Sequence, residues 1–408
     1  MASPMRSQIG AAPAEQQLLP DEILEDIFLR LDSGPDLARA SAACRAFRRV
    51  ASGHAFLRRF TSLHPPPLLG IFRFTANEGF QGFHPFESPH PSAPAACAVA
   101  QAADFTFSFL PDPTRWTVHD VRGGRFLLSR AKFFNTAFLE LAVCDPVFRR
   151  YALVPSIPGD LVPPMWLEMK SDPFLAPPGD DEEKESGKDS HFLVICNWKS
   201  DHKFVSCVFS GVTGKWRGAT SYSFSPSNLI LKPQGLVRYC TCSRIYWVHP
   251  SERYMLVLDP REMKFSLDEL LRPSDLTMVI EKIAIVDAED GRLGLVTLGP
   301  RKLGLGIYSR TCRNNGDSAE EWRHDKFIPL PKPPFCYSVA DTAGGYLILL
   351  GNPFYFHQQK RSRIQFSFGG EEQKTPYFAV DLKTSLVEKL YMPKLPDFLG
   401  LFVLSETE

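Results

Sequence analysis

Carboxylates stand at three matching places in the chain, each directly after an apolar, strand-like run. They are Asp145, Asp259 and Asp381. Carboxylates that converge on one pocket can serve as the acid and base of glycoside hydrolysis. Because each of the three opens a turn between two strands, we expect them to lie apart from one another rather than at a shared axis. A hydrolase would therefore need other convergent carboxylates, or a bound metal ion.

The remaining residue types with catalytic or metal-binding chemistry are scattered along the chain. His119 stands beside Asp120, and His249 ends another apolar run; isolated histidines of this kind are usually structural or simply exposed. The nine cysteines include one close pair, Cys240 and Cys242, whose spacing fits neither a zinc site nor a redox motif. The sequence shows no nucleophile elbow, zinc-protease motif or glycine-rich phosphate loop. It predicts no catalytic residue, no metal ligand and no cofactor.

Composition narrows the class of protein. The chain has 408 residues, 44% of them hydrophobic, which is enough for a small module and one large domain. Its 32 phenylalanines and 35 prolines indicate many short strands and turns. The formal net charge of zero argues against binding to nucleic acid, since such proteins carry a basic excess. No apolar run approaches the ~20 residues that span a membrane, so we expect no membrane partner.

The cysteines and the amino terminus suggest where the protein resides. Residues 1–17 contain no continuous apolar stretch, so we expect a disordered tail there and no secretory signal. The cysteines are odd in number and scattered, which indicates a reducing compartment, the cytoplasm, the nucleus or both. Cys144, Cys196 and Cys207 lie in apolar runs and are expected to be buried free thiols.

The elements best specified by spacing are helices in residues 18–60. Pro20 fits the first turn of a helix, and the acidic residues around it complement the positive helix end. Apolar residues then recur on one stripe, and they are Ile23, Leu24, Ile27, Phe28 and Leu31. After a break at residues 32–35, further helical stripes are formed by Leu37, Ala40 and Ala43, then Cys44, Phe47 and Val50, and finally Phe56, Leu57 and Phe60. So short a cluster buries little surface alone, so we expect it to complete its core on a partner.

The order and spacing of these residues resemble the F-box, the module by which receptors of ubiquitin ligases hold a Skp-type adaptor. The matching positions are Leu19, Pro20, Glu22, Ile23, Leu24, Ile27, Arg30, Leu31, Leu37, Cys44, Arg45, Phe47 and Phe56. Two positions depart from the pattern, because the usual valine is Ala43 and the usual tryptophan is Phe47. Both residues are apolar but smaller, so the resemblance implies weaker adaptor binding than is typical.

The resemblance also implies a set of adaptor-binding residues. They are Leu19, Pro20, Glu22, Ile23, Ile27, Leu31, Leu37, Cys44 and Phe47. Two other interpretations fit the same stripes: a helical cap that packs only on the rest of the chain, and a DNA-binding helix-turn-helix. The acidic first helix and the zero net charge argue against the helix-turn-helix.

Beyond a linker at residues 61–67, the chain repeats a strand-turn-strand unit about every fifty residues, which favours a radial arrangement of antiparallel sheets. The units span 107–118, 141–155, 206–219, 255–267 and 377–390, with a less regular copy at 305–330. Trp116, Trp216 and Trp322 recur after the turns and are expected to pack between blades. The last apolar run, 398–404, is placed to close the ring on the first blade. We predict about six blades, with seven as the alternative.

This layout resembles the β-propeller domain that follows the F-box in many F-box proteins of grasses. The predicted fold class is therefore α+β multidomain, with a small N-terminal all-α F-box module followed by an all-β propeller at residues 68–408. Three segments are expected to be loop insertions in the propeller: residues 75–102, 171–190 and 352–375.

The resemblance implies a non-catalytic substrate-recognition subunit of a Skp–cullin–F-box ubiquitin ligase. The F-box would bind the adaptor and through it a cullin, while the propeller would bind an unknown target protein. Two alternatives remain open at this point: a propeller hydrolase with a helical N-terminal extension, and a scaffold that binds the adaptor without serving ubiquitination.

Overall fold

The computed structural model of the chain separates after Pro66 into two compact units, Met1–Pro66 and Pro67–Glu406. The residues that the structure describes are 19–32, 34–64, 67–75, 79–131, 139–163, 169–176, 192–224, 231, 235–249, 254–270, 283–288, 291–298, 304–311, 321–331, 335–343, 345–353, 376–390 and 401–405. The expected disordered tail at residues 1–17 lies outside them.

Four short helices are seen in the described part of the first unit. They are α1 (Asp21–Phe28), α2 (Gly34–Ala43), α3 (Arg45–Ala51) and α4 (His54–Leu63). Pro20 precedes α1, and its carbonyl accepts the first helical bond from Leu24, as the sequence predicts. The helices enclose one apolar core, formed by Leu24, Phe28, Leu37, Val50, Ala51, Phe56 and Phe60. The predicted helical N-terminal module is confirmed.

The module extends further than the sequence indicates. The predicted linker at residues 61–67 is wrong in its first half, because α4 continues to Leu63. The helix persists because Phe56 and Phe60 are buried on one face, and the ring of His64 continues that face, 4.4 Å from the ring of Phe60. The His64 ring also lies 3.0 Å from the carbonyl oxygen of Leu29. Packing against α1 therefore overrides the proline-rich composition that follows.

The described residues of the second unit form six antiparallel sheets. Blade 1 contains β3 (Thr117–Arg122), β4 (Arg125–Ala131), β5 (Leu139–Asp145) and β6 (Arg150–Val154). Blade 2 contains β7 (Lys170–Ala176), β8 (Leu193–Lys199), β9 (Lys203–Ser210) and β10 (Lys215–Ser223). Blade 3 contains β11 (Val237–Thr241), β12 (Arg244–Val248), β13 (Tyr254–Asp259) and β14 (Lys264–Glu269).

The last two blades have the same order of strands. Blade 4 contains β15 (Ile283–Asp287), β16 (Leu293–Leu298), β17 (Gly304–Arg310) and β18 (Arg323–Pro329). Blade 5 contains β19 (Phe335–Ala343), β20 (Tyr346–Pro353), β21 (Tyr377–Asp381) and β22 (Val387–Leu390). The sixth, three-stranded sheet joins both ends of the unit, because β1 (Leu68–Thr75) pairs with β2 (Gly79–Pro85) on one side and with β23 (Leu401–Ser405) on the other. We call it the closing sheet.

Apolar cores between neighbouring sheets close the ring. Residues from adjacent sheets share a core in each case: Phe72 with Phe126, Leu127 with Val194, Phe174 with Trp247, Tyr246 with Ile285, Val296 with Leu347, and Ile348 with Ile71. Each blade thus buries both of its faces, which explains why its middle strands are continuous apolar runs. The fold is a β-propeller, as predicted, with five four-stranded blades and a closing sheet where the repeats predict about six blades. The predicted strand-turn-strand unit at 107–118 is wrong, because it holds a short helical turn, Pro113–Arg115, and only the start of β3.

The predicted insertion at residues 75–102 is wrong. It contains β2 and a helix, α5 (Ala93–Ala102), and Ala96 of that helix is fully buried. Phe80 and Phe83 of β2 pack against Phe72, with ring centroids 6.0 and 5.3 Å apart. The aromatic side chains of this segment, which was predicted to be a loop, therefore hold it in place through contacts with the neighbouring strand.

The other two predicted insertions overlap the strands at their ends. Residues 171–176 belong to β7, which is the first strand of blade 2, so the segment 171–190 is not a loop throughout. Residues 352–353 end β20. The remaining parts of both segments, 177–190 and 354–375, lie outside the described residues.

Candidate functional site

Helix α1 presents apolar side chains to two sides. Leu24 and Phe28 are buried in the core of the first unit. Leu19, Ile23 and Ile27 are spaced four residues apart, and 45–49% of the surface of each residue is exposed. Ile23 and Ile27 share one face of α1, since side chains four residues apart on a helix are neighbours. Leu19 lies just before the helix, next to Pro20, and we call these three exposed residues the apolar stripe. An apolar surface of this kind is typical of a site that a partner protein covers.

Two ion pairs join the helix that carries the stripe to α3 and α4. A carboxylate oxygen of Asp21 lies 2.7 Å from the guanidinium of Arg49 on α3, and Glu25 lies 3.0 Å from Arg59 on α4. The paired side chains are 35–69% exposed, so each pair contributes little to stability. The buried side chains of Leu24 and Phe28 hold α1 against the core, and they determine the face on which the stripe lies.

The remaining predicted adaptor-binding residues divide into surface and supporting positions. Pro20 and Glu22 are exposed beside the stripe. Leu31 is half-buried and packs against the core. Leu37 is buried, so it shapes the surface from below and does not form part of it. Leu37 thus stays a predicted residue of the adaptor site, in a position to shape the surface rather than to touch the adaptor.

Cys44 and Phe47 form the start of α3. The Sγ atom of Cys44, the residue before the helix, accepts a bond from the backbone N–H of Phe47 at 3.5 Å. The ring of Phe47 packs edge-on against Phe28, with centroids 5.2 Å apart. Cys44 is therefore an exposed helix cap, and Phe47 connects the surface of the module to its core.

A comparison with protein families assigns this module. The family model described as F-box-like matches residues 17–62, which include α1, α2, α3 and all but the last residue of α4. The N-terminal module is an F-box-like domain. The stripe of Leu19, Ile23 and Ile27 is thus an exposed apolar surface of an F-box-like domain.

Comparisons over the whole chain add little. No curated protein matches the chain. Similar solved structures include a post-proline cleaving enzyme from Rickettsia typhi (11% identity, TM-score 0.34, 69% of this chain and 37% of that one). They also include an exo-β-1,3-galactanase from Phanerochaete chrysosporium (11%, 0.28, 59% and 56%) and a fucose-specific lectin from Aleuria aurantia (11%, 0.26, 51% and 57%). The chain spans between 37% and 57% of the length of these three proteins, and such low TM-scores carry no argument about function.

The three turn aspartates of the propeller have structural roles. In each, one carboxylate oxygen accepts backbone N–H groups two and three residues ahead, at distances of 2.8–3.3 Å. Asp145, Asp259 and Asp381 thereby build the turn between the third and fourth strands of blades 1, 3 and 5. As predicted, they do not meet at a common axis.

Charged side chains do converge from the first strands of the blades, where β3 contacts β7 and β11 contacts β15. The guanidinium of Arg238 on β11 lies 3.2 Å from Asp120 on β3 and 3.1 Å from Asp172 on β7. It also stacks over the ring of Phe174, 4.0 Å from the centroid. Asp120 accepts a further bond, at 2.8 Å, from the backbone N–H of Leu175. We call Asp120, Asp172 and Arg238 the inter-blade triad.

Sequence analysis did not identify this triad. Its residues are separated by more than fifty and by more than one hundred positions, and only the alignment of three blades brings them together. One sequence signal for the triad is a polar side chain within the first strand of a blade, as at His119 and Asp120 of β3. In the sequence alone these two residues appear only as an isolated pair. The ring of His119 lies 2.6 Å from the Ser129 hydroxyl, and burial lowers the pKa of this histidine.

Burial raises the pKa of Asp120, and the neighbouring Arg238 partly opposes that shift. Burial also raises the pKa of Asp341, on the first strand of blade 5, to about 8. The Asp341 carboxyl accepts the N–H of Thr342 at 2.7 Å, and the charges of Asp120 and Arg238 act on it.

We expect Asp341→Asn to remove part of the pH dependence of stability. The pKa of about 8 in the folded state exceeds the ordinary 3.8, so the contribution of Asp341 to stability is full below about pH 4 and is lost as the pH rises to 8. Asparagine is neutral and keeps the oxygen that accepts the N–H of Thr342. The stability of the variant minus that of the wild type should therefore be larger at pH 8.5 than at pH 5, as measured by thermal unfolding. A difference in melting temperature that is equal at both pH values would contradict the assignment.

The tryptophans and cysteines behave as the sequence predicts. The indole N–H of Trp216 in blade 2 donates to the carbonyl of Pro155, at the end of blade 1, at 2.7 Å, and that of Trp322 beside blade 4 donates to Glu269 of blade 3 at 3.3 Å. Trp116 packs into the core between the closing sheet and blade 1. Cys144, Cys196 and Cys207 are buried free thiols, and burial raises the pKa values of Cys144 and Cys207 to about 12.

The described residues form neither a metal-binding cluster nor a membrane-spanning helix. No group of three or more histidine, cysteine, aspartate or glutamate side chains in that part of the chain is arranged to hold a metal ion. None of the described helices is both long and apolar enough to cross a membrane.

Proposed function

We propose that the protein is a substrate-recognition subunit of a Skp–cullin–F-box ubiquitin ligase. The observation that supports this is the stripe of Leu19, Ile23 and Ile27 on the F-box-like domain, which is solvent-exposed although it is apolar. A Skp-type adaptor would bury this stripe and connect the chain to a cullin. The propeller would hold the target protein.

In this function the protein makes and breaks no covalent bonds. It acts by raising the effective concentration of target lysines beside a ubiquitin thioester that another subunit carries. We further propose that the protein is of the plant, grass type and resides in the cytoplasm or the nucleus. The order of an F-box-like domain and a propeller supports the first point, and the odd, scattered cysteines support the second.

The hydrolase alternative receives less support than the receptor. The carboxylates of Asp120 and Asp172 do approach one another, but both bind the guanidinium of Arg238. This arrangement holds the blades together. In the scaffold alternative the chain binds the adaptor but recruits no cullin. Co-purification of the chain with both the adaptor and a cullin would therefore exclude the scaffold alternative.

Co-expression with a plant Skp-type adaptor tests the proposal. We expect the full-length chain to elute with the adaptor as a one-to-one complex in size-exclusion chromatography. A chain that starts at Pro67 should elute without the adaptor while its propeller still unfolds cooperatively on heating. If the full-length chain is folded and elutes alone, or if the shortened chain binds equally well, the F-box-like domain is not the adaptor-binding module and the proposed function is wrong.

A further inference from the structure

The large apolar side chains that are exposed in the described part of the chain fall mainly into two groups. Four lie in the F-box-like domain, and four lie within seven consecutive residues of blade 1. The second group consists of Val147, Phe148, Tyr151 and Leu153, with 38–59% of each side chain exposed. We call it the rim patch. The proposed adaptor surface does not include it.

The position of the rim patch in the fold explains its exposure. It covers the turn after β5 and the outermost strand, β6, which pairs only with β5 among the strands described. Tyr151 and Leu153 lie opposite Cys144 and Ala142, whose side chains face the closing sheet. The blades have four strands each, whereas the closing sheet has three described strands, so no described fourth strand covers Tyr151 and Leu153 from that side.

The rim patch is held in place by its surroundings. The backbone N–H groups of Val147 and Phe148, at the start of the turn, each donate to the carboxylate of Asp145 at 3.0 Å. The ring of Phe109 stacks on Tyr151 with centroids 6.4 Å apart. The backbone N–H of Asp104 donates to the carbonyl of Pro146 at 2.9 Å, which attaches the preceding segment to this turn. A fixed surface loses little conformational entropy on binding.

The two faces of β6 differ in chemistry. Side chains alternate along a strand, so Tyr151 and Leu153 share an apolar face while Arg150 and Ala152 share the other. Arg149 in the turn and Arg150 are both exposed, and the guanidinium of Arg150 lies 5.3 Å from the centroid of the Phe148 ring. Asp145 lies opposite Arg150 and offsets one of these charges, so the two arginines leave an excess of positive charge over that carboxylate at this end of the patch. A second copy of this chain pairing there would bring like charges together, whereas an acidic segment would complement them.

We propose that the rim patch binds an extended segment of a partner protein in which apolar and acidic side chains alternate. The segment adds a strand to the outer edge of β6, with its apolar residues against Tyr151 and Leu153 and its acidic residues beside Arg149 and Arg150. If the proposed function is correct, this partner is the target protein, and that identification rests on the proposed function. The binding itself needs no adaptor.

Fluorescence anisotropy with the full-length chain tests the proposal. The probe is a labelled eight-residue peptide, acetyl-(Glu-Val)4-amide, and the control peptide has the same composition in blocks of four glutamates and four valines. We expect saturable binding of the alternating peptide and at least tenfold weaker binding of the block peptide. The double variant Tyr151→Thr, Leu153→Thr keeps the strand propensity of β6 and should weaken binding of the alternating peptide at least tenfold. Phe327→Thr, on the outermost strand of blade 4 and equally exposed, should leave binding unchanged.

A second variant keeps the test decisive if the double variant unfolds. Arg150→Glu should weaken binding of the glutamate peptide and favour the corresponding lysine peptide, acetyl-(Lys-Val)4-amide. Equal binding of the alternating and block peptides, or wild-type affinity in a folded double variant, would overturn the proposal. So would a concentration-dependent dimer that the double variant lacks, because the patch would then serve self-association. Adaptor binding, measured on the same samples, tests the F-box assignment independently of peptide binding at the rim patch.

Discussion

Replacing Ile27 by aspartate should abolish adaptor binding while both units stay folded. Ile27 lies at one end of the exposed apolar stripe, 45% of its side chain is accessible, and its neighbours Leu24 and Phe28 hold α1 in the core. The substitution therefore changes the surface but removes nothing from the core. Truncating an anchor of such an interface costs about 2 kcal/mol or more, and burying an unpaired carboxylate adds to that cost. A loss of affinity of more than about thirtyfold is expected at these magnitudes.

Titration of purified adaptor into the variant, with thermal unfolding of the same sample, measures this effect. The control is Leu386→Asp, which places the same charge on another exposed apolar residue, in a turn of blade 5. It should bind the adaptor as the wild type does. A folded Ile27→Asp chain that binds with unchanged affinity would show that the stripe is not the adaptor surface.

Arg238→Met should destabilise the propeller more than any change to an exposed ion pair. The side chain of Asp120 is 9% exposed, and Arg238 is the cation of the inter-blade triad to which it is bonded. Methionine fills similar space over the ring of Phe174 but leaves the Asp120 carboxylate buried without its partner. Breaking a buried pair from one side costs about 3–5 kcal/mol. The effect should appear as a lower midpoint of denaturant unfolding for the propeller.

Two matched variants separate loss of charge pairing from loss of packing. Adding Asp120→Asn to Arg238→Met removes the uncompensated charge and should recover a large part of the lost stability. Arg49→Met breaks an ion pair of the same type with Asp21, but both side chains are exposed, so it should cost about 1 kcal/mol or less. If the double variant is no more stable than Arg238→Met, the ion pair does not account for the destabilisation.

The helices of the F-box-like domain could be predicted because their signals are local. Pro20, the acidic residues after it and the apolar spacing all lie within one or two helical turns. The sequence did not separate the two faces of α1, since Ile23 and Leu24 appear as one stripe. Only the placement of α3 and α4 against one side of α1 shows that Leu24 is core and Ile23 is surface.

The propeller was predictable as a repeat but not in its details. The recurring turns and apolar strands gave the architecture, because each blade repeats the same local pattern. The segment of β2 and α5 was not recognised, since Phe80, Phe83 and Ala96 are ordered by contacts with distant strands. The inter-blade triad was not recognised for the same reason. Asp120 and Arg238 are 118 positions apart in the sequence and meet only in the folded structure.

The most direct measurement of the central claim is isothermal titration of purified Skp-type adaptor into the full-length chain at several temperatures. We expect one adaptor per chain and a negative heat-capacity change, because binding would remove the apolar stripe of Leu19, Ile23 and Ile27 from water. No detectable binding to a chain that is folded by thermal unfolding would contradict the adaptor role, and with it the assignment of this protein as a ubiquitin-ligase receptor.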